Sequence, residues 1–330
     1  MKIKLFFFAV LCLLCTNLFA QDIKLSFNND NKFKIVQFTD LHLVYNDPRS
    51  DAAFECINNV LEKEHPDLII LTGDMIYSKP AADNMRNLCT YISRFKIPFA
   101  ITFGNHDNEQ GLSNEELLKI AKESPYCIAT SEKGITGNSN YVLEIKAHDS
   151  NINKALLYCI DSNQYSQLKN RGVEGYDFIH KDQINWYINK SNDYTVRNNG
   201  IPLPSLAFFH IPLPEYNQAA SDENAAMYGI RREKACAPLL NTGMFAAMKE
   251  QGDIMGIFVG HDHDNDYAVN WYNVLLAYGR FSGGKTEYSH MTNGARIIEL
   301  TEGKRIIDTY IRLRTGELVQ NTSFPVDYIK

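Results

Sequence analysis

Phe33-Lys34-Ile35-Val36-Gln37-Phe38-Thr39-Asp40-Leu41-His42 sets the pattern on which the chain is built. A short, mainly apolar run of strand length gives way at once to residues that can ligate a metal. Comparable runs recur at residues 68–71, 99–103, 155–160, 206–209 and 254–259. Short runs without clean polar alternation fit strands buried on both faces. Between the early runs lie stripes at helical spacing: Ala53, Cys56, Ile57, Val60 and Leu61, then Met85, Leu88, Cys89 and Ile92. Strand and helix in alternation predict an α/β fold with parallel strands in the first half. From Tyr141 onward strands dominate, and turn signals at Asn293-Gly294 and Glu302-Gly303 predict a hairpin.

The residues immediately after these runs carry the chemistry. Thr39-Asp40-Leu41-His42 comes after the first, Thr72-Gly73-Asp74 after the second and Gly104-Asn105-His106-Asp107 after the third. His210 succeeds Phe209, and Gly260-His261-Asp262-His263 succeeds Val259. In open α/β sheets the functional crevice lies at the carboxyl ends of the strands. Asp40 and His42 are two apart, as are His261 and His263, so on an extended segment each pair points to one side and could clamp one ion or span two. Taken singly, Asp-x-His or Gly-Asp is an ordinary turn. In this order, each after a strand, structural need alone does not produce them.

The full chain has 330 residues, 45% hydrophobic and 22% charged, with formal net charge −6. Those fractions exclude a disordered, collagenous or coiled-coil chain. The negative balance argues against extended nucleic acid or an anionic lipid surface as partner. A phosphate-bearing substrate would need local positive charge, most readily from bound metal. Residues 1–20 have Lys2 and Lys4, an apolar centre and a small final Ala20, which predicts a signal peptide and export to the periplasm or outside the cell. Loss of the two lysines leaves the mature chain near −8, with no stable membrane insertion expected. Five of the seven cysteines remain after Cys12 and Cys15 go, and no C-x-x-C pair survives, so neither a disulfide scaffold nor a thiolate metal site is expected. Cys56, Cys89 and Cys159 read as buried thiols. One large domain is expected over residues 32–313, followed by a C-terminal tail at 314–330.

The ordered set Asp-x-His, Gly-Asp, Gly-Asn-His-Asp, His, Gly-His-x-His resembles that of the calcineurin-like metallophosphoesterases. Residues 208–216 (Phe-Phe-His-Ile-Pro-Leu-Pro-Glu-Tyr), Asn241-Thr242-Gly243-Met244-Phe245, Gly172 to Trp186 and residues 260–267 are similar to a purple-acid-phosphatase-like subgroup of plants and fungi. The resemblance spans roughly residues 33–300. It implies an α/β four-layer sandwich, two mixed β-sheets flanked by helices, with a dinuclear metal site at one edge. It assigns Asp40, His42 and His263 to one metal, Asn105, His210 and His261 to the other, and Asp74 as the bridge. Imidazole and carboxylate donors suit two divalent or mixed-valence ions, Fe, Zn or Mn. Paired ions activate water and clamp phosphate oxygens.

The implied activity is hydrolysis of phosphate monoesters, with His106 protonating the leaving oxygen. A small diester as substrate, or a metal-bound binding module without turnover, remains open. Asp107 either orients His106 or makes an exposed ion pair. Candidate substrate contacts are Asn105 and the pair Arg231 and Arg232, whose guanidiniums either grip phosphate or stay solvated. The substrate would be a phosphorylated small molecule or a phosphoprotein. Coloured purple acid phosphatases use the tyrosine of Gly-Asp-x-x-Tyr on iron. Here His42 and Tyr77 compete for that place, His42 is favoured, and no purple colour is expected. Asp264 and Asp266 read as turn or supporting residues. Gly279 to Thr286 satisfies the P-loop pattern, but no apolar stripe comes after it to make the helix a P-loop requires, so it reads as a glycine-rich bend near the metals.

Overall fold

A computed structural model describes residues 23–329. The proposed signal segment, residues 1–20, lies outside the described residues. In chain order the elements are β1 (Leu25–Ser26), β2 (Lys32–Phe38), α1 (Asp51–Glu64), β3 (Leu68–Thr72), α2 (Ala81–Ser93), β4 (Phe99–Thr102), α3 (Asn114–Ala121), β5 (Tyr141–Lys146) and β6 (Asn153–Cys159). The second half adds α4 (Lys181–Arg197), β7 (Ser205–Phe208), α5 (Glu215–Ala219), β8 (Met227–Tyr228), α6 (Met244–Gln251), β9 (Ile254–Val259), β10 (Ala268–Trp271), β11 (Val274–Tyr278), β12 (Gly294–Thr301), β13 (Ile307–Leu313) and β14 (Leu318–Phe324). Among the described residues no helix is long and apolar enough to cross a membrane.

The strands form two mixed sheets. One runs β14-β13-β12-β2-β3-β4, with β2, β3 and β4 parallel and β12, β13 and β14 antiparallel. The other runs β1-β5-β6-β7-β9-β11-β10-β8, parallel through β6, β7, β9 and β11. The side chains of the second sheet sort by period two, as a pleated strand requires. Leu157, Cys159, Leu206, Phe208, Phe258, Leu275 and Ala277 face the first sheet and join its core. Leu156, Tyr158, Ala207, Ile257, Val259 and Leu276 face outward onto Trp186 and Tyr187 of α4 and Met244 and Met248 of α6. The expected stripes of α1 and α2 are buried against the first sheet. Helices, sheet, sheet, helices: the four-layer α/β arrangement is present.

The expected hairpin forms between β12 and β13, with Glu302-Gly303 at its turn. The C-terminal tail does not trail. Its residues 318–324 form β14 and pair antiparallel with β13, from Ile307↔Phe324 to Arg312↔Leu318. The segment escapes sequence reading because an edge strand needs little apolar pattern, and here only Thr322 and Phe324 are buried. Cys56, Cys89 and Cys159 are buried thiols as expected, and the five described cysteines are all free.

The end of α1 is tied to the sheet by a charge cluster. Glu64, 2% exposed at its side chain, accepts from Tyr310 Oη at 2.5 Å and Arg312 Nε at 2.6 Å and pairs with Lys34 Nζ at 3.3 Å. Burial opposes its ionisation, but the bonds from Tyr310 and Arg312 hold its pKa below the usual glutamate value. A depressed carboxylate pKa stabilises the fold above the unfolded value and ceases to do so as pH falls through the folded one. Glu64→Ala should cost about 2–4 kcal/mol in urea unfolding at neutral pH, because it strands a partly buried arginine. Glu64→Gln should flatten the acid limb of the stability profile.

Candidate metal centre

The carboxyl ends of β2, β3 and β4 in one sheet, and of β7 and β9 in the other, meet at one edge. Direct bonds stitch the two sheets there. Gln37 Nε2 donates to the Val259 carbonyl at 3.1 Å, and the Ser282 amide donates to the Thr39 carbonyl at 3.0 Å. Each strand stops where its last residues turn sideways. Asp40, His42, Asp74 and His261 all adopt left-handed φ, of 55°, 43°, 51° and 80°. Non-glycine residues held there cluster where function requires an awkward side-chain direction.

Six of the seven expected ligand residues converge in two groups. Asp40, His42 and His263 form one trio and Asp74, His210 and His261 another, each with ligand atoms within 4.8 Å of one another and all buried. His42 Nε2 lies 3.1 Å from His263 Nε2, and His261 Nδ1 lies 3.3 Å from His210 Nε2. Imidazole nitrogens sharing a tetrahedral ion about 2.0–2.1 Å away stand roughly 3.3 Å apart, so both spacings suit a shared cation. Asp74 Oδ2 is 3.1 Å from His210 Nε2 and 3.6 Å from His42 Nε2, which places one oxygen between the trios as a bridge requires. Asn105 is fully buried, and its Oδ1 is left without a hydrogen-bond partner, so that oxygen is available to a cation.

The surroundings fix which atoms face inward. His210 Nδ1 sits 2.8 Å from the Thr72 carbonyl and His263 Nδ1 2.8 Å from the Tyr288 carbonyl. A carbonyl only accepts, so both Nδ1 atoms carry hydrogen, and Nε2 is in each ring the nitrogen that would turn to a metal once it gives up any proton it holds. Asp40 accepts from its neighbour Thr39 Oγ1 and from the His261 amide. Burial opposes the charge of Asp40, yet its bond to His263 and the field of His210 hold it at about 2. Asp74, also opposed by burial, is held well below the usual range by His210. Burial lowers His42 to about 4 and, with the repulsion of His210, His261 to about 3. Against the same burial, Asp74 lifts His210 to about 10. Two ionised carboxylates and two protonation-prone imidazoles, His210 and His263, thus face each other in a buried place, and a cation bound there would take over the role of those protons.

Close backbone approach explains the motif glycines. A Cβ on Gly104 would strike the Asp74 carboxylate and stand 2.5 Å from its backbone nitrogen, and one on Gly260 would strike Thr39 Oγ1 and stand 2.8 Å from Asp40 Oδ2.

Two sequence expectations need correction. Asp107 neither orients His106 nor pairs at the surface: it is fully buried. Its carboxylate accepts from the amides of Gly104, Asp74, Met75 and Ile76 at 2.7–3.3 Å, clamping two ligand loops together. Burial, then the charge of Asp74, pushes it up to about 7. The residue that does touch His106 is Glu109, at 2.6 Å from Nδ1. Its signal was the three-residue spacing, legible only once residues 107–110 are known to form a single turn of 3₁₀ helix. Arg231 and Arg232 are also engaged elsewhere, donating to the carbonyls of Ala220 and His290, rather than presenting a fork to the metals.

His106 itself is partly exposed beside the centre. Its amide donates to Asp74 Oδ1 at 2.9 Å, and its ring lies 5.6 Å from that of His42. Tyr77 packs edge-on against His42 at 5.0 Å, and its hydroxyl bonds Glu287, which with burial pushes its pKa up to about 12. That suits a packing phenol better than a ligand phenolate. Residues 279–286 form a bend with no helix after it, its Ser282 bonded to Thr39. Asp264 and Asp266 serve loop hydrogen bonds, to the His290 amide and the Ile230 amide respectively.

The sequence profile of the calcineurin-like phosphoesterases matches residues 33–265. A protein of Arabidopsis thaliana named probable inactive purple acid phosphatase 29 is 33% identical over 309 residues, covering 82% of this chain and 77% of its own. Phosphatase DCR2 of Saccharomyces cerevisiae is 31% identical, covering 88% of this chain and 55% of its own length. Among solved structures, a dimetal phosphatase from Danio rerio shares the fold with a TM-score of 0.57 at 12% identity, covering 88% of this chain and 98% of its own.

Protein prepared without chelator should carry about two metal equivalents per chain by elemental analysis. Asp74→Asn and Gly104→Ala should each reduce that number while leaving the far-ultraviolet circular dichroism unchanged. Full occupancy in both would refute the bridging role.

Proposed function

The chain belongs to the calcineurin-like phosphoesterase family, and on that premise we propose that it is an exported metal-dependent phosphatase that hydrolyses phosphate monoesters, with His106 as acid to the leaving group. The observation that carries this reading is the convergence of two ligand trios around Asp74 with His106 beside them. Asp40, His42 and His263 would hold one ion and Asn105, His210 and His261 the other, with Asp74 shared. Such ions supply Lewis-acid polarisation of the phosphoryl oxygens and activation of water.

The chain's own residues do the rest. Buried Asp40 and Asp74 stay ionised, and the Nδ1 bonds of His210 and His263 leave Nε2 as the nitrogen that would turn to a metal. Phe281 and Tyr288 pack on the ring of His263, and Tyr77 on that of His42, which holds both imidazoles in orientation. His106 Nε2, opposite the nitrogen taken by Glu109, is the atom free to deliver a proton to the leaving oxygen. The expected substrate is a phosphorylated small molecule or a phosphoprotein, in keeping with a net negative chain that has no long-range pull on nucleic acid. Export rests on the basic-then-apolar N-terminal segment.

The names of the plant relatives, probable inactive purple acid phosphatases, favour a second reading as a metal-bound binding module. Against it stands His106, which is not among the expected ligands and which a metal-bound module without turnover has no need to keep.

His106→Ala decides between them. It should preserve metal content and lower turnover of alkyl phosphates by about 10²–10⁴-fold, the scale for loss of a positioned acid. The deficit should shrink for an activated aryl phosphate, whose leaving group needs less protonation. His210→Ala should lose metal and rate on every ester. Absence of phosphatase and diesterase activity in the fully metallated wild type would favour the binding module.

A further inference from the structure

We infer that Glu109 and Tyr165 are a positioning pair for His106, fixing its ring so that Nδ1 donates to Glu109 and Nε2 carries the transferable proton; this rests on His106 being the leaving-group acid. The contacts form one continuous chain. His106 Nδ1 is 2.6 Å from Glu109 Oε2, the other oxygen Oε1 is 3.3 Å from Tyr165 Oη, and that hydroxyl is 3.3 Å from Asn105 Nδ2.

Donor and acceptor chemistry sets the direction along it. The amide of Asn105 can only donate from Nδ2, so Tyr165 Oη accepts there and gives its own hydrogen to Glu109. An ionised Glu109 can only accept, so Nδ1 of His106 must bear hydrogen. Which imidazole nitrogen is protonated is set by the bond the other makes. The same chain takes up Nδ2 of Asn105 and leaves its buried Oδ1 without a hydrogen-bond partner.

Both partners are held in place independently of the His106 ring. Glu109 sits in the 3₁₀ turn Asp107–Gln110, where its amide donates to the His106 carbonyl at 3.2 Å and brings the side chains onto one face. Tyr165 sits on a two-stranded ribbon, bridged to Tyr176 and closed by bonds from Ser166 to Gly175 and from Asp177 to Gln164. Its ring stacks on Tyr176 at 5.7 Å, and Tyr176 in turn stands edge-on to the ligand His261 at 4.3 Å. Tyr77 closes the far side of the His106 ring at 5.4 Å. The His106–Glu109 pair is partly exposed, at 28% and 38%, so it adds little stability. Orientation is what it supplies.

The test begins on metal-free protein labelled with ¹⁵N in histidine. In its neutral form the His106 ring should show the two-bond nitrogen–proton pattern of the Nδ1-hydrogen tautomer in wild type, the form that becomes the acid by taking a second proton on Nε2; Glu109→Ala should lose that pattern and Glu109→Gln, whose amide oxygen can still accept, should regain it. In the metal-loaded enzyme Glu109→Ala should lower kcat on alkyl phosphates by about 10- to 100-fold, a fraction of what a positioned acid contributes. KM and metal content should stay unchanged, and aryl phosphates should suffer less. Tyr165→Phe should act in the same sense by a smaller factor. The double variant His106→Ala/Glu109→Ala should be no slower than His106→Ala alone, since residues acting as one unit are not additive. An unaltered ring pattern in Glu109→Ala, additive losses, or equal slowing of alkyl and aryl esters would overturn the inference. If the wild type shows no esterase activity the phosphatase reading falls, and the ring pattern alone still decides whether Glu109 holds His106.

Discussion

One carboxylate has to remain ionised in a buried place while serving two sets of histidines. Asp74 meets that constraint, and much of the edge where the two sheets join is arranged around it. Its Oδ2 faces His210 and His42, and its Oδ1 takes the His106 amide. Its backbone amide is gripped by Asp107, which also holds Gly104, so the loops after β3 and β4 are tied together. Gly104 must lack a side chain because the Asp74 carboxylate passes through the space a Cβ would fill. Burial alone would neutralise such a group. The histidines around it, or the metals they suit, are what keep it charged.

The same constraint accounts for the strained backbone. Ligands from five strand ends must point into one volume, and an extended strand directs side chains only to its two faces. Left-handed turns at Asp40, His42, Asp74 and His261 redirect them. Such turns cost of order 1–3 kcal/mol each and persist only where their surroundings over-determine them. Two cores supply that rigidity, one between the sheets and one under α4, α5 and α6. The bonds from Gln37 to Val259 and between Ser282 and Thr39 then lock the sheets at the edge where the ligands meet.

Residues whose role depends on a neighbour distant in sequence obey a different rule. Asp107 and Glu109 are both acidic, two positions apart, and both beside His106. The turn after β4 sends Asp107 inward to four amides and Glu109 outward to the imidazole. Tyr165 reaches the same spot from a ribbon 56 residues further along. The arginines at 231 and 232, attractive as phosphate ligands, are spent on carbonyls of Ala220 and His290.

The sequence by itself determined the α/β class, the buried strands, the helical stripes and the seven ligand candidates. Strand cores and motif glycines are local demands, set by burial on both faces and by the space around each ligand, and local demands leave a mark in spacing and composition. The sequence could not show β14, because an edge strand is half solvated and needs no apolar alternation. It pointed to Asp107 and gave no sign of Glu109, and it could not say where Arg231 and Arg232 point. Those outcomes depend on which donors a folded neighbour brings within about 3 Å, and hydrogen-bond partners from other strands and loops exist only once the two sheets have closed against each other.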